Sequence, residues 1–94
     1  MRESKYRRQL AVKLDADIVT SLDKGGCRRF RSRRTGKWGY CDNYGDVIRS
    51  SRFDKASHFN EIVGVYEVWV GSTQQFFDRN WVEHKVDDLI GTAF

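Results

Sequence analysis

Gly36-Lys37-Trp38-Gly39-Tyr40-Cys41-Asp42-Asn43-Tyr44-Gly45-Asp46-Val47-Ile48 is the stretch on which the fold turns, and it reads as a β-hairpin. Trp38 and Tyr40 fall on one face of a strand, and Gly39 between them lets a backbone or a ring come close. Asp42 opens and Gly45 closes a four-residue turn, the chemistry of a type I turn followed by a left-handed residue. Asp46 to Arg49 is the return strand. Phe53, Ala56 and Phe59 follow at three-residue spacing as a short hook, which would cover Trp38 and bury it.

Before the hairpin, Cys27 to Arg34 is a charged strand anchored by Phe30, with Thr35-Gly36-Lys37 as its turn. After it, Ile62 to Val70 carries the strongest strand signal, because Val63, Val65, Tyr66, Val68, Trp69 and Val70 are β-branched or aromatic. Gly71-Ser72-Thr73 turns that strand and Gln74 to Phe77 returns it. If the strand lies at a sheet edge, it invites pairing with a second copy, so a homodimer is an expectation.

The two ends change period. Tyr6, Leu10, Leu14, Ile18 and Leu22 recur every four residues, which predicts a helix over Ser4 to Lys24 with Gly25-Gly26 as its stop. A competing reading makes Gln9 to Leu14 a strand and starts a helix at Asp15. That order is the one found in a ribbon-helix-helix arm, but the second helix of that fold does not follow. Val82, Val86, Leu89 and Ile90 predict a second helix over Asp78 to Ile90, with Asp78 as N-cap and Gly91 as stop. The expected fold class is therefore α+β. It is a small antiparallel sheet of three to five strands, flanked by an N-terminal and a C-terminal helix, in a single domain over 1–94. Its expected core is Leu14, Ile18, Trp38, Tyr40, Phe53, Phe59, Val65, Trp69, Val86 and Leu89.

The hairpin and hook together resemble one unit of the WG (KWG) repeat. Trp38, Gly39, Tyr40, Gly45, Phe53, Ala56 and Phe59 stand where that repeat puts its fixed residues, across about residues 27–65. Cys41 replaces the usual isoleucine, Arg49-Ser50-Ser51 replaces a proline-rich step, and Trp69-Val70-Gly71 stands where a next unit would begin. No second copy is in register. The resemblance implies a β-hairpin core and implies no particular chemistry, because the repeat is not tied to one reaction. A lone unit needs flanking elements to cover its face.

Composition narrows the function. The net charge is +4, but residues 1–34 hold eleven Lys/Arg against four Asp/Glu, and residues 35–94 hold six against nine. The basic half concentrates in Arg28, Arg29, Arg31, Arg33, Arg34 and Lys37. Alternation puts Arg29, Arg31 and Arg33 on one face, with Arg28 and Arg34 flanking Phe30 on the other. A planar guanidinium selects carboxylate, phosphate and aromatic partners. These six residues with Tyr44 are the candidate partner-binding surface, and no residue of the fold is expected to need them. The same arginines can instead pair with Asp42, Asp46 and Asp54 across the sheet.

No zinc-type cysteine spacing, nucleophile motif or histidine motif occurs around Cys27, Cys41, His58 or His84. No catalytic residue, cofactor or metal is therefore expected. A disulfide between Cys27 and Cys41 has no support, because no signal peptide precedes them, and cytoplasmic residence with reduced thiols is the expectation. No apolar run is long enough for a membrane span. The resulting expectation is a non-catalytic, basic binding protein that docks on a larger protein or complex with an acidic surface and modulates or inhibits it. Products of phages and mobile elements are often of this kind. The alternative is DNA or RNA binding through the Arg28–Lys37 ribbon, with tyrosines stacking on bases.

Overall fold

The computed structural model describes residues 2–85. It is a helix laid on the first of two antiparallel sheets, with elements in the order α1 (Arg2–Leu14), β1 (Ala16–Val19), β2 (Arg28–Ser32), β3 (Trp38–Cys41), β4 (Val47–Phe53), β5 (Lys55–Ala56), β6 (Val65–Val70), β7 (Thr73–Asp78) and β8 (Glu83–His84). Strands β1 to β4 form one four-stranded sheet and β5 to β8 the other, each strand pairing with its neighbour in sequence. The protein is thus mostly β, which corrects the expectation of a single sheet between two helices.

Two cores hold three layers. On one face of the first sheet, Phe30, Cys41, Ala16 and Val19 bury against Leu10, with Tyr6, Ala11 and Leu14 around them. On the other face, Cys27, Tyr40 and Phe53 join Phe59, Tyr66, Val68 and Phe77 from the second-sheet half of the chain. The glycine reading holds at Gly39. A methyl there would stand 2.6 Å from the Arg49 carbonyl oxygen and 2.7 Å from the Phe30 ring. The ring that comes close is Phe30, on the helix side.

The helical expectations fail at identifiable residues. Helix α1 ends at Leu14 because Asp15 takes a left-handed φ of 51°. The next residues, Ala16-Asp17-Ile18-Val19, form β1 instead of a further turn. Gly25 stops no helix; it has no side chain because the Tyr66 hydroxyl and the Phe59 ring pack against it. Asp78 caps no helix either, since residues 78–85 end β7, turn, and form β8. Val86, Leu89 and Ile90, on which that helix depended, lie outside the described residues.

Three further expectations are corrected. Trp38 is only half-buried, and the hook of Phe53 and Phe59 closes over Tyr40 and Tyr66 instead, with Tyr40 edge-on to Phe53 at 6.2 Å and Tyr66 tilted on Phe59 at 5.1 Å. Ile18 is exposed outside the core. Strand β6 is an interior strand between β5 and β7, so it offers no edge to a second copy.

Candidate functional site

Asp23 organises a concave surface of the molecule. Its Oδ1 accepts hydrogen bonds from the Gly25 and Cys27 amides and from the Tyr66 hydroxyl, at 2.9, 3.0 and 3.0 Å. Its Oδ2 accepts one from the Phe59 amide at 3.2 Å. One carboxylate thereby ties the β1–β2 connection to the segment that follows β5. Nearby, the Tyr40 hydroxyl donates to the Ser57 carbonyl at 2.6 Å, and the Ser57 hydroxyl accepts from the Glu67 amide at 2.8 Å.

Between these two arms lies a cleft of about 790 Å³, within the size range of ligand sites. Residues 20–24 form one wall and residues 57–62 the other, with Arg29 and Glu67 also lining it. Its rim is apolar. Leu22 is 43% exposed and Ile62 is 96% exposed, with Val63 beside it 51% exposed. That rim is ordered, because Asn60 Oδ1 accepts from the amides of both Ile62 and Val63, and the Gly64 amide returns to the Asn60 carbonyl at 2.7 Å.

Arg29 differs from the other arginines of the ladder. Arg28 is buried, 3% exposed, and its guanidinium binds Glu3 at 2.6 Å, Asn43 and the Thr20 carbonyl, so it fastens α1 to the sheet. Arg31 grips both oxygens of Asp17, at 3.0 and 2.8 Å, and holds that carboxyl below the usual carboxylate range. Arg33 and Arg34 share Asp15, at 3.6 and 3.1 Å. Lys37 pairs with Asp54 at 2.8 Å. The Gly71 amide and Lys37 together keep the Asp54 carboxyl low. Tyr44 is exposed in the β3–β4 turn, where its carbonyl accepts from Lys13.

The structure therefore gives fold-holding partners to residues the sequence reading left free for a ligand, and Arg28 is inaccessible. Arg29 lies over the Trp38 ring at 5.4 Å and donates through Nη1 to the Ala56 carbonyl at 2.8 Å. Its Nε is buried and bonds to nothing. Of the sequence-predicted residues only Arg29 reaches the cleft; Leu22, Ile62 and Val63 were missed as site residues. The signal for the rim was the Asn60-to-Gly64 turn chemistry, hidden because Ile62 and Val63 extend the apolar run of β6.

The thiols and one of the two histidines lie outside the cleft, and the other histidine lines it. Cys27 and Cys41 are buried free thiols on opposite faces of the first sheet, facing separate cores. Burial pushes both thiols up, Cys41 to about 11. His84 pairs with Asp78 at 2.8 Å in the β7–β8 turn region, away from the cleft lining. His58 lines the cleft and is exposed. Among the described residues, no group of three or more His, Cys, Asp or Glu is placed to hold a metal ion, and no helix is long and apolar enough to cross a membrane. Comparison with protein-family models, with curated proteins and with solved structures gives no match.

Proposed function

We propose that this chain is a non-catalytic binding module that docks on a partner protein and modulates it, with the cleft between residues 20–24 and 57–62 as its contact surface. The observation that carries this reading is the rim. Ile62, exposed to 96% on a turn pinned by Asn60, gains nothing from folding and supports no part of the core, and it shares the cleft with the exposed Leu22. Exposed apolar side chains on a hydrogen-bonded turn beside a concavity suit protein recognition, where a few anchors supply most of the binding energy. Both thiols are buried outside the cleft, and Asp23 is engaged by four donors, so neither offers a free nucleophile there. The nucleic-acid alternative loses support from the pairing of Arg28, Arg31, Arg33, Arg34 and Lys37 with carboxylates of the same chain, which cancels much of the charge a phosphate backbone would meet.

The test is site-specific photocrosslinking in the source cell. A benzophenone side chain at position 62 should capture a discrete protein, in nuclease-treated extract, that Val63→Asp abolishes. The same group at Val12, 82% exposed on α1, should capture nothing discrete. Capture of nucleic acid at position 62, or equal capture from both positions, overturns the reading.

A further inference from the structure

We infer that in the free protein a second copy of the chain covers this cleft, the wall at residues 22–24 of each copy set against the turn at residues 61–62 of the other about a two-fold axis. This rests on the protein-docking reading above and names the occupant of that surface.

The charges of the lining select the occupant. Asp23, Glu61, Glu67, Lys24 and Arg29 all line the cleft, and three of the five are already engaged. Asp23 accepts from four donors, and Glu67 Oε2 accepts from Gln74 at 3.3 Å. Arg29 lies over Trp38 and donates to the Ala56 carbonyl. Lys24 and Glu61 are left, both exposed and neither with a counter-ion among the described residues. Glu61 stands apart among the described carboxylates, since each of the others pairs with a cation or accepts a hydrogen bond.

The surface therefore offers one free cation and one free anion, each beside an exposed apolar side chain. Its complement must carry the same set in opposite places, and this chain does. Leu22 and Lys24 stand on one wall, Ile62 and Glu61 on the other. A two-fold axis brings one patch against itself, so every contact is made twice. Leu22 then meets the second copy's Ile62, and Lys24 meets its Glu61. Both segments are already closed by hydrogen bonds, to Asp23 on one side and to Asn60 on the other, so covering them costs less ordering than closing an open loop. An interface built on two such turns is at the small end of protein contacts. A micromolar dissociation constant is expected, weak enough for another protein to displace the second copy.

The test is sedimentation of the full chain across the micromolar range, with the charge-reversed variants Lys24→Glu and Glu61→Lys. Both side chains are exposed, so the variants should keep the circular dichroism of the wild type. The wild type should dimerise, and each variant alone should do so at least about tenfold more weakly, because like charges then face each other twice. An equal mixture of the two variants should recover the dimer, because each reversed residue then meets an opposite charge. Ile62→Ser should weaken the dimer with all charges in place. A wild type monomeric at high micromolar concentration, a charge variant that dimerises like the wild type, or a mixture no stronger than its components would each overturn the inference. A monomer whose position 62 still crosslinks to a different protein removes the second copy and keeps the docking surface. A dimer whose position 62 crosslinks only to its own chain keeps the second copy and removes the docking on another protein.

Discussion

Trp81 sits in a conformation that suits glycine, with φ at 63°, and what it gains there is a place among aromatic rings. Its ring stacks on Tyr66 at 4.6 Å and 11° and tilts against Tyr40 at 4.6 Å, with Arg49 over it at 5.2 Å. The stacking offsets a left-handed backbone cost of about 1–2 kcal/mol. Trp81→Ala loses the ring and keeps the strain, while Trp81→Gly loses the ring and relieves it. The expected order of stability is wild type, then Trp81→Gly, then Trp81→Ala, with the last two about 0.5–1 kcal/mol apart in urea titration. Equal values, or alanine above glycine, would show that the backbone there is unstrained. Gly39→Ala should cost about 1–3 kcal/mol by the same measurement, because the added methyl meets the Arg49 backbone and the Phe30 ring. Gly39 was legible in the sequence because alternation flagged it. Gly25 was not, because its close neighbours Phe59 and Tyr66 are distant in the chain.

Among the elements, three turns share one construction. Asp23, Asp42 and Asp78 each accept, through Oδ1, the amides two and four residues on. In each, the residue three positions on donates its amide to the aspartate carbonyl and takes a positive φ: Gly26, Gly45 and Trp81. Only the turn with both Asp42 and Gly45 in plain view was read correctly. Asp23 was absorbed into an apolar four-residue period that Asp15 in fact interrupts. At Asp78 tryptophan occupies the place of the glycine, so the sequence alone offers the aspartate as a helix cap. The hook was legible as a cover for the first sheet, but which ring it covers was not. Phe53→Ala should therefore cost about 3–5 kcal/mol, and Trp38→Ala clearly less, because Phe53 is fully buried and Trp38 is not. A Trp38→Ala loss equal to or above that of Phe53→Ala would restore the earlier placement.

At the scale of the whole molecule, charge sets the pH range of stability. Glu3, Asp17, Asp54 and Asp78 have carboxyls held below their ordinary values by Arg28, Arg31, the Gly71 amide and His84 respectively. Each contributes stability above pH about 4, lost as the pH falls through the lowered folded values. Burial raises the Cys41 thiol to about 11 and raises Cys27, Tyr40 and Tyr66 as well. The Cys41 contribution is intact below the unfolded thiol range and is lost as the pH rises from about 9 through 11, and the phenol contribution begins to be lost only above about 10. Urea midpoints should be level near neutrality and fall on both sides, and a midpoint unchanged at pH 10.5 would remove the thiol and phenol contribution. The site was the least legible feature, since Asp23, Arg29 and Ile62 meet only through tertiary pairing, and composition points at the arginine ladder and not at the turn that exposes Ile62. The second sheet also places its turns on Asn60 and Asp78 much as the first places them on Asp23 and Asp42, a likeness carried by hydrogen bonds and not by matching side chains. The neighbour-to-neighbour pairing of all eight strands has a kinetic consequence. Each strand finds its partner across a short loop, so the entropy lost in closing contacts is small for a β protein, and either four-stranded half can begin the reaction. With no proline in the chain, refolding after dilution from urea should finish in one fast stopped-flow phase, without the tail of tens of seconds that peptide-bond isomerisation imposes.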